Sequence, residues 1–72
     1  MIDFAKVDAR WKSALAEIGE IEPWFRKGDN VWVYSHEDFD VEGSGLDYQE
    51  CVESYKENLY EFLIAEAEKG EC

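Results

Sequence analysis

Val31-Trp32-Val33-Tyr34-Ser35, then the polar loop His36-Glu37-Asp38, then Phe39-Asp40-Val41-Glu42 is the stretch on which the fold turns. The first five residues are β-branched or aromatic with one exception, the composition that suits a pleated, half-buried strand. The last four alternate apolar and acidic. That period of two sends Phe39 and Val41 toward a core and Asp40 and Glu42 toward water. The pair reads as an antiparallel hairpin turning near Asp38.

Upstream, Lys27-Gly28-Asp29-Asn30 is a turn signal between apolar segments and predicts a second hairpin at Gly28. Trp24-Phe25-Arg26 then forms the first strand. It follows Pro23, which a sheet tolerates only at its edge. Downstream, Gly43-Ser44-Gly45 reads as the end of the sheet. The result is a three-stranded antiparallel meander.

Helices flank it on both sides. Phe4, Val7, Trp11, Ala14, Leu15 and Ile18 recur at spacings of three and four, with Asp3 as N-cap and Gly19 as stop. Leu46 to Lys69 carries a second stripe, Tyr48, Val52, Tyr55, Leu59, Phe62 and Leu63, with Cys51 beside it and Gly70 at its end. Asp47 suits the first turn, where a carboxylate meets the positive end of the helix dipole. The expected architecture is α+β, in the order α-β-β-β-α. Two helices pack the meander as one domain over residues 1–72, leaving one sheet face partly open.

At 72 residues the chain buries only about 60% of the surface it exposes when unfolded, so stability depends on a dense core. Three Trp, four Tyr and four Phe supply it, and 46% hydrophobic content excludes a disordered acidic tail. The net charge of −11 is extreme for this size, where a magnitude of roughly 2–8 suits solubility. It repels nucleic acid and anionic membranes and favours a basic protein surface. Residues 1–30 carry six acids against five bases, a balance of −1. Residues 31–72 carry twelve against two, a balance of −10. In the second helix Glu50, Glu53, Glu57 and Glu61 fall on one face, and Glu37, Asp38, Asp40 and Glu42 form another cluster. With Asp47, these are the expected partner-binding residues.

Other chemistry is excluded or disfavoured. Acid–base catalysis needs carboxylates with separated pKa values in a dry cleft, and these alternate with core residues on outward faces. His36-Glu37-Asp38-Phe39-Asp40 lacks the ligand pattern and glycine of a calcium loop, and His36 is expected to be an exposed loop residue. No metal site, cofactor or enzymatic activity is expected. Cys51 reads as a buried thiol and Cys72 as a loose terminal one, so no disulfide framework is expected. The start Met1-Ile2-Asp3-Phe4 shows neither a basic segment nor an apolar run, and no stretch has the length of a membrane span. A cytoplasmic setting is expected, as a monomer or weak homodimer. Trp11 belongs to the core. Trp24, Trp32 and Tyr60 read first as packing residues and second as anchors for a partner.

Residues 21–65 resemble the β-β-β-α unit of the HicB-like antitoxins, on Val41-Glu42-Gly43-Ser44-Gly45-Leu46-Asp47-Tyr48-Gln49-Glu50 and on Tyr60-Glu61-Phe62-Leu63. The helix before the sheet is extra, and the family's Pro-Asp-Leu-Pro-Gly segment has no counterpart. That resemblance implies an antitoxin-like or adaptor module, which would bind a basic partner through its sheet and aromatics. In size, acidity and aromatic content the chain is similar to phage-encoded DNA-mimic inhibitors of the anti-CRISPR and anti-restriction type. This second resemblance implies a non-enzymatic inhibitor in the host bacterial cytoplasm. Its target would be the nucleic-acid-binding subunit of a bacterial defence complex.

Overall fold

A computed structural model describes residues 2–70. Helix α1 (Phe4–Ile18) starts where Asp3 takes an extended backbone and its carboxylate accepts the amides of Ala5 at 3.1 Å and Lys6 at 3.4 Å. A cap of this kind stabilises a helix by about 1 kcal/mol. Gly19 ends it at φ +77°, in the left-handed region that suits glycine, and its amide returns to Leu15 O at 3.0 Å. Val7 and Ala14 are buried, with Trp11, Leu15 and Ile18 half-buried. Phe4 departs from the expected stripe and stands 57% exposed.

Strands β1 (Trp24–Arg26), β2 (Val31–His36) and β3 (Phe39–Gly45) form an antiparallel sheet in that order. The β1–β2 loop turns through a hydrogen bond from Asp29 N to Arg26 O at 3.2 Å. Its left-handed residue is Asn30 at φ 54°, not Gly28. Asparagine tolerates that region because its short amide bonds locally. The β2–β3 loop is only Glu37 and Asp38. His36, expected in the loop, instead lies half-buried in β2, and its Nδ1 accepts the Asp38 amide at 3.1 Å. Beside it the ladder is irregular: Ser35 faces Glu42 while His36 faces Phe39. Two extra residues of β3 therefore bulge across one step of β2.

The sheet ends at Gly45, as expected, but the glycines lie inside β3 rather than beyond it. Gly43 pairs with Tyr34 and Gly45 with Trp32. Along β3, Val41, Gly43 and Gly45 are buried while Asp40, Glu42 and Ser44 are exposed. Helix α2 (Tyr48–Gly70) lies directly on the glycines. A Cβ at Gly43 would stand 2.6 Å from Tyr55 Cβ, and one at Gly45 2.6 Å from the Cys51 amide nitrogen. Only a strand without side chains at these positions lets the helix backbone approach so closely. Cys51, Tyr55, Leu59 and Leu63, four residues apart, are the buried face that this contact seals.

Of the two helices, α2 covers β3 and β2, while α1 packs chiefly on α2. Trp11 meets Tyr60 edge to face at 5.4 Å, and its indole N–H donates to Lys56 O at 2.9 Å. The sheet face bearing Val31, Val33, Ser35, Asp40 and Glu42 has no helix over it. The mixed α+β, α-β-β-β-α fold therefore stands, with α1 buttressing α2 rather than sharing the sheet.

Candidate functional site

Alternation in β3 and the helical period in α2 decide where the acids go. Cys51, Tyr55, Leu59 and Leu63 face the sheet, so Glu53, Glu57 and Glu61 fall on the outer side of α2. All three are exposed. Side chains four apart on a helix have Cβ atoms about 5–6 Å apart, so the three carboxylates make a line of negative charge. Asp40 and Glu42 project from the opposite, open face of the sheet, and Glu37 and Asp38 occupy the loop at its end. The two acidic clusters expected to act together therefore lie on opposite sides of the molecule.

Asp47 and Glu50 have local work. The Asp47 carboxylate accepts the Glu50 amide at 2.7 Å, capping α2, and Glu50 Oε1 accepts the Leu46 amide at 3.4 Å. This reciprocal arrangement resembles a capping box displaced by one residue. Neither is simply a free charge. Among the described residues the ion pairs are Lys12–Asp8 at 3.3 Å, Arg26–Asp29 at 3.4 Å and the close approach of His36 to Asp38 at 3.8 Å. None of them neutralises Glu53, Glu57 or Glu61. A shallow groove between the helices, lined by Asp8, Trp11, Glu53, Lys56, Glu57 and Tyr60, runs along this stripe.

A second surface feature lies where α2 begins. The helix does not cover β1, so Phe25, on the helix side of the sheet with Trp32, is 45% exposed, while Trp24, paired with Val33, is 50% exposed on the open face. Phe25 meets Trp32 at 5.6 Å, and Trp32 meets Tyr48 at 5.5 Å, both edge to face. Tyr48, expected in the core stripe, is 43% exposed and donates its hydroxyl to Ile21 O at 3.2 Å. Leu46, two residues earlier in the chain, is 75% exposed. Sequence reasoning named Trp24 and Trp32 but missed Phe25, Leu46 and Tyr48. Leu46 carried a signal: it precedes the N-cap Asp47, where an apolar residue ordinarily staples onto the residue four into the helix. That residue is Cys51, already sealed against Gly45, so Leu46 stays out.

Among the described residues the titratable groups with shifted pKa values are a buried thiol and two tyrosines. Burial pushes the Cys51 thiol pKa up, and its Sγ donates weakly to Gly43 O at 3.6 Å. A raised pKa in an apolar setting makes an inert thiol. Burial, helped by the neighbouring Tyr34, pushes Tyr55 up to about 12. Its hydroxyl has no hydrogen-bond partner, and the Tyr34 and Tyr55 rings meet edge to face at 4.8 Å. Burial, and then the charge of Glu22, raise Tyr34. No group of three or more His, Cys, Asp or Glu side chains is placed to hold a metal among the described residues, and no helix among them is long and apolar enough to cross a membrane. Cys72 lies outside the described residues. No protein-family model, curated protein or solved structure matches this chain.

Proposed function

We propose that this protein is a non-enzymatic inhibitor that binds the basic, nucleic-acid-binding surface of a bacterial defence protein. The target class is a CRISPR or restriction nuclease complex. One observation carries the reading: Glu53, Glu57 and Glu61 form an exposed line along α2, and none of them is in an ion pair among the described residues. Like charges at such spacings destabilise a helix. A fold that keeps them gains from their field elsewhere. Phosphates on one DNA strand advance by about 3.4 Å along the axis, and carboxylates one helical turn apart offer a comparable line to a groove of Lys and Arg. The acids on the open sheet face and the β2–β3 loop add to the long-range field that steers association. Asp47 and Glu50 contribute charge while holding the helix start.

The test is a titration of the purified protein into CRISPR effector and restriction nucleases with labelled target duplex. Stoichiometric loss of target binding in at least one of them is expected, weakening steeply as salt rises because charges are screened beyond about 8 Å at physiological ionic strength. The triple variant Glu53→Gln, Glu57→Gln, Glu61→Gln should lose inhibition while keeping its circular dichroism. Full inhibition by that variant would sink the proposal. Glu50 is left intact because it serves the helix cap.

The exposed Trp24 and Phe25 on β1 favour a second reading, an antitoxin-like or adaptor module that binds a partner through its sheet and aromatics. Binding of that kind would hardly respond to salt, and Trp24→Ala would weaken it more than the triple Gln change.

A further inference from the structure

Exposed charge pairs contribute little affinity, about 0–1 kcal/mol each, although they speed encounter. Tight binding through an acidic stripe therefore calls for an apolar anchor beside it, and interface anchors are usually aromatic. The fold offers one at the start of the helix that carries the stripe, in the run Phe25, Trp32 and Tyr48, with exposed Leu46 two residues before Tyr48.

We propose that this aromatic shelf is an arginine-binding site, seating an arginine-bearing segment of the basic partner while the α2 stripe holds its flanking charges. The proposal rests on the acidic-binder reading above and names the chemistry of the same partner. The shelf is preorganised, because Tyr48 is tied by its hydroxyl to Ile21 O at 3.2 Å and Trp32 is wedged between two rings. Neighbouring rings meet at 64° and 76°, so the run is notched rather than flat. Three carboxylates belong to segments that adjoin Tyr48. Glu50 bonds the Leu46 amide, Asp47 caps the same turn, and Glu20 borders the adjoining hollow of about 390 Å³ that Tyr48 also lines. Arg26, the nearest strand cation, is paired with Asp29 at 3.4 Å.

Aromatic faces beside carboxylates favour a guanidinium over an ammonium, since the planar, weakly hydrated group both stacks and hydrogen-bonds. Strand addition at β1 is a poorer use of this edge, because three residues flanked by Pro23 and Lys27 form the short, charged edge that resists pairing. A second copy of the chain is opposed by the charge of −11 on each.

The probes are oligo-arginine and oligo-lysine peptides of equal length, read by the indole N–H resonances of the intact protein. Trp11 lies in the groove beside Glu53 and Glu57 and reports the stripe, whereas Trp32 reports the shelf. Both peptides should move Trp11, but only oligo-arginine should move Trp32, and it should bind roughly fivefold tighter, as one or two exposed cation–π contacts would give. The variant Phe25→Ala with Leu46→Ala should reduce oligo-arginine to the oligo-lysine affinity and weaken nuclease inhibition by a similar factor. Equal peptide affinities, a silent Trp32, or undiminished inhibition by that variant would overturn the shelf and leave the stripe standing. A silent Trp11 with both peptides overturns the acidic-binder reading as well.

Discussion

The two edges of the sheet, β1 and β3, are built to opposite purposes. On β3 the helix backbone rests on Gly43 and Gly45, and the α2 side chain Asn58 donates to Glu42 O at 2.8 Å. That edge is covered and closely packed. On β1 all three residues are exposed and no helix lies over them. The close backbone seat on β3 is what leaves β1 bare, because α2 is drawn toward one side of the sheet. Stability is concentrated at one edge, and large apolar side chains are left free at the other.

The change that would break this contrast most strongly is Gly43→Ala. Its new methyl meets Tyr55 Cβ, Cα and N at 2.6–2.7 Å, and backbone has no rotamer by which to retreat. A loss of roughly 3 kcal/mol or more is expected, as for severe overpacking, enough to unfold much of a domain this small in a urea titration. Asp47→Ala comes next. It removes the cap that accepts the Glu50 amide and should lower the urea midpoint by the equivalent of about 1 kcal/mol. Phe25→Ala on the bare edge should cost less than that, because the ring is already 45% exposed. A Phe25 variant as unstable as the glycine variant would remove the contrast between the edges.

Smallest of all is Tyr55→Phe, which deletes an unpartnered buried hydroxyl and should be neutral or slightly stabilising. Its effect sharpens at alkaline pH. Tyr55 titrates near 12 folded and near 10 unfolded, so the folded state holds its proton longer. The stability this contributes is complete below pH 10 and is lost as pH rises toward 12, where Tyr34 and Cys51, both also raised, act in the same direction. Thermal midpoints should therefore be flat up to about pH 9 and then fall. Tyr55→Phe should shorten that fall.

The element order and the faces of β3 and α2 were legible because each has a clear period set by neighbours along the chain, whereas β2, apolar on both sides, left its covered face open. Val41 inward and Glu42 outward, or Leu59 and Leu63 on one stripe, follow from that period alone. Gly43-Ser44-Gly45 reads locally as a turn signal that stops the sheet, and β3 does end at Gly45, but the glycines pair within the strand and are selected by a helix packed against them from five to twelve residues on. His36 was misread because a two-residue loop and a bulge depend on pairing with β3, not on the polarity of the segment. For the candidate site, the stripe Glu53, Glu57 and Glu61 was readable from spacing. The shelf was not, since Phe25, Trp32 and Tyr48 come from three separate elements.

By itself the sequence determined the α-β-β-β-α order, the concentration of acid in residues 31–72 and the exposed line along α2, because periodicity and charge are local properties of the chain. Only the tertiary structure decided that Asp40 and Glu42 face away from that line, that Asp47 and Glu50 serve the helix start, and that an aromatic shelf opens beside it. Each of these depends on where α2 comes to rest on the sheet. Two glycine positions set that resting place by letting backbone touch backbone, a contact between segments that no local pattern encodes.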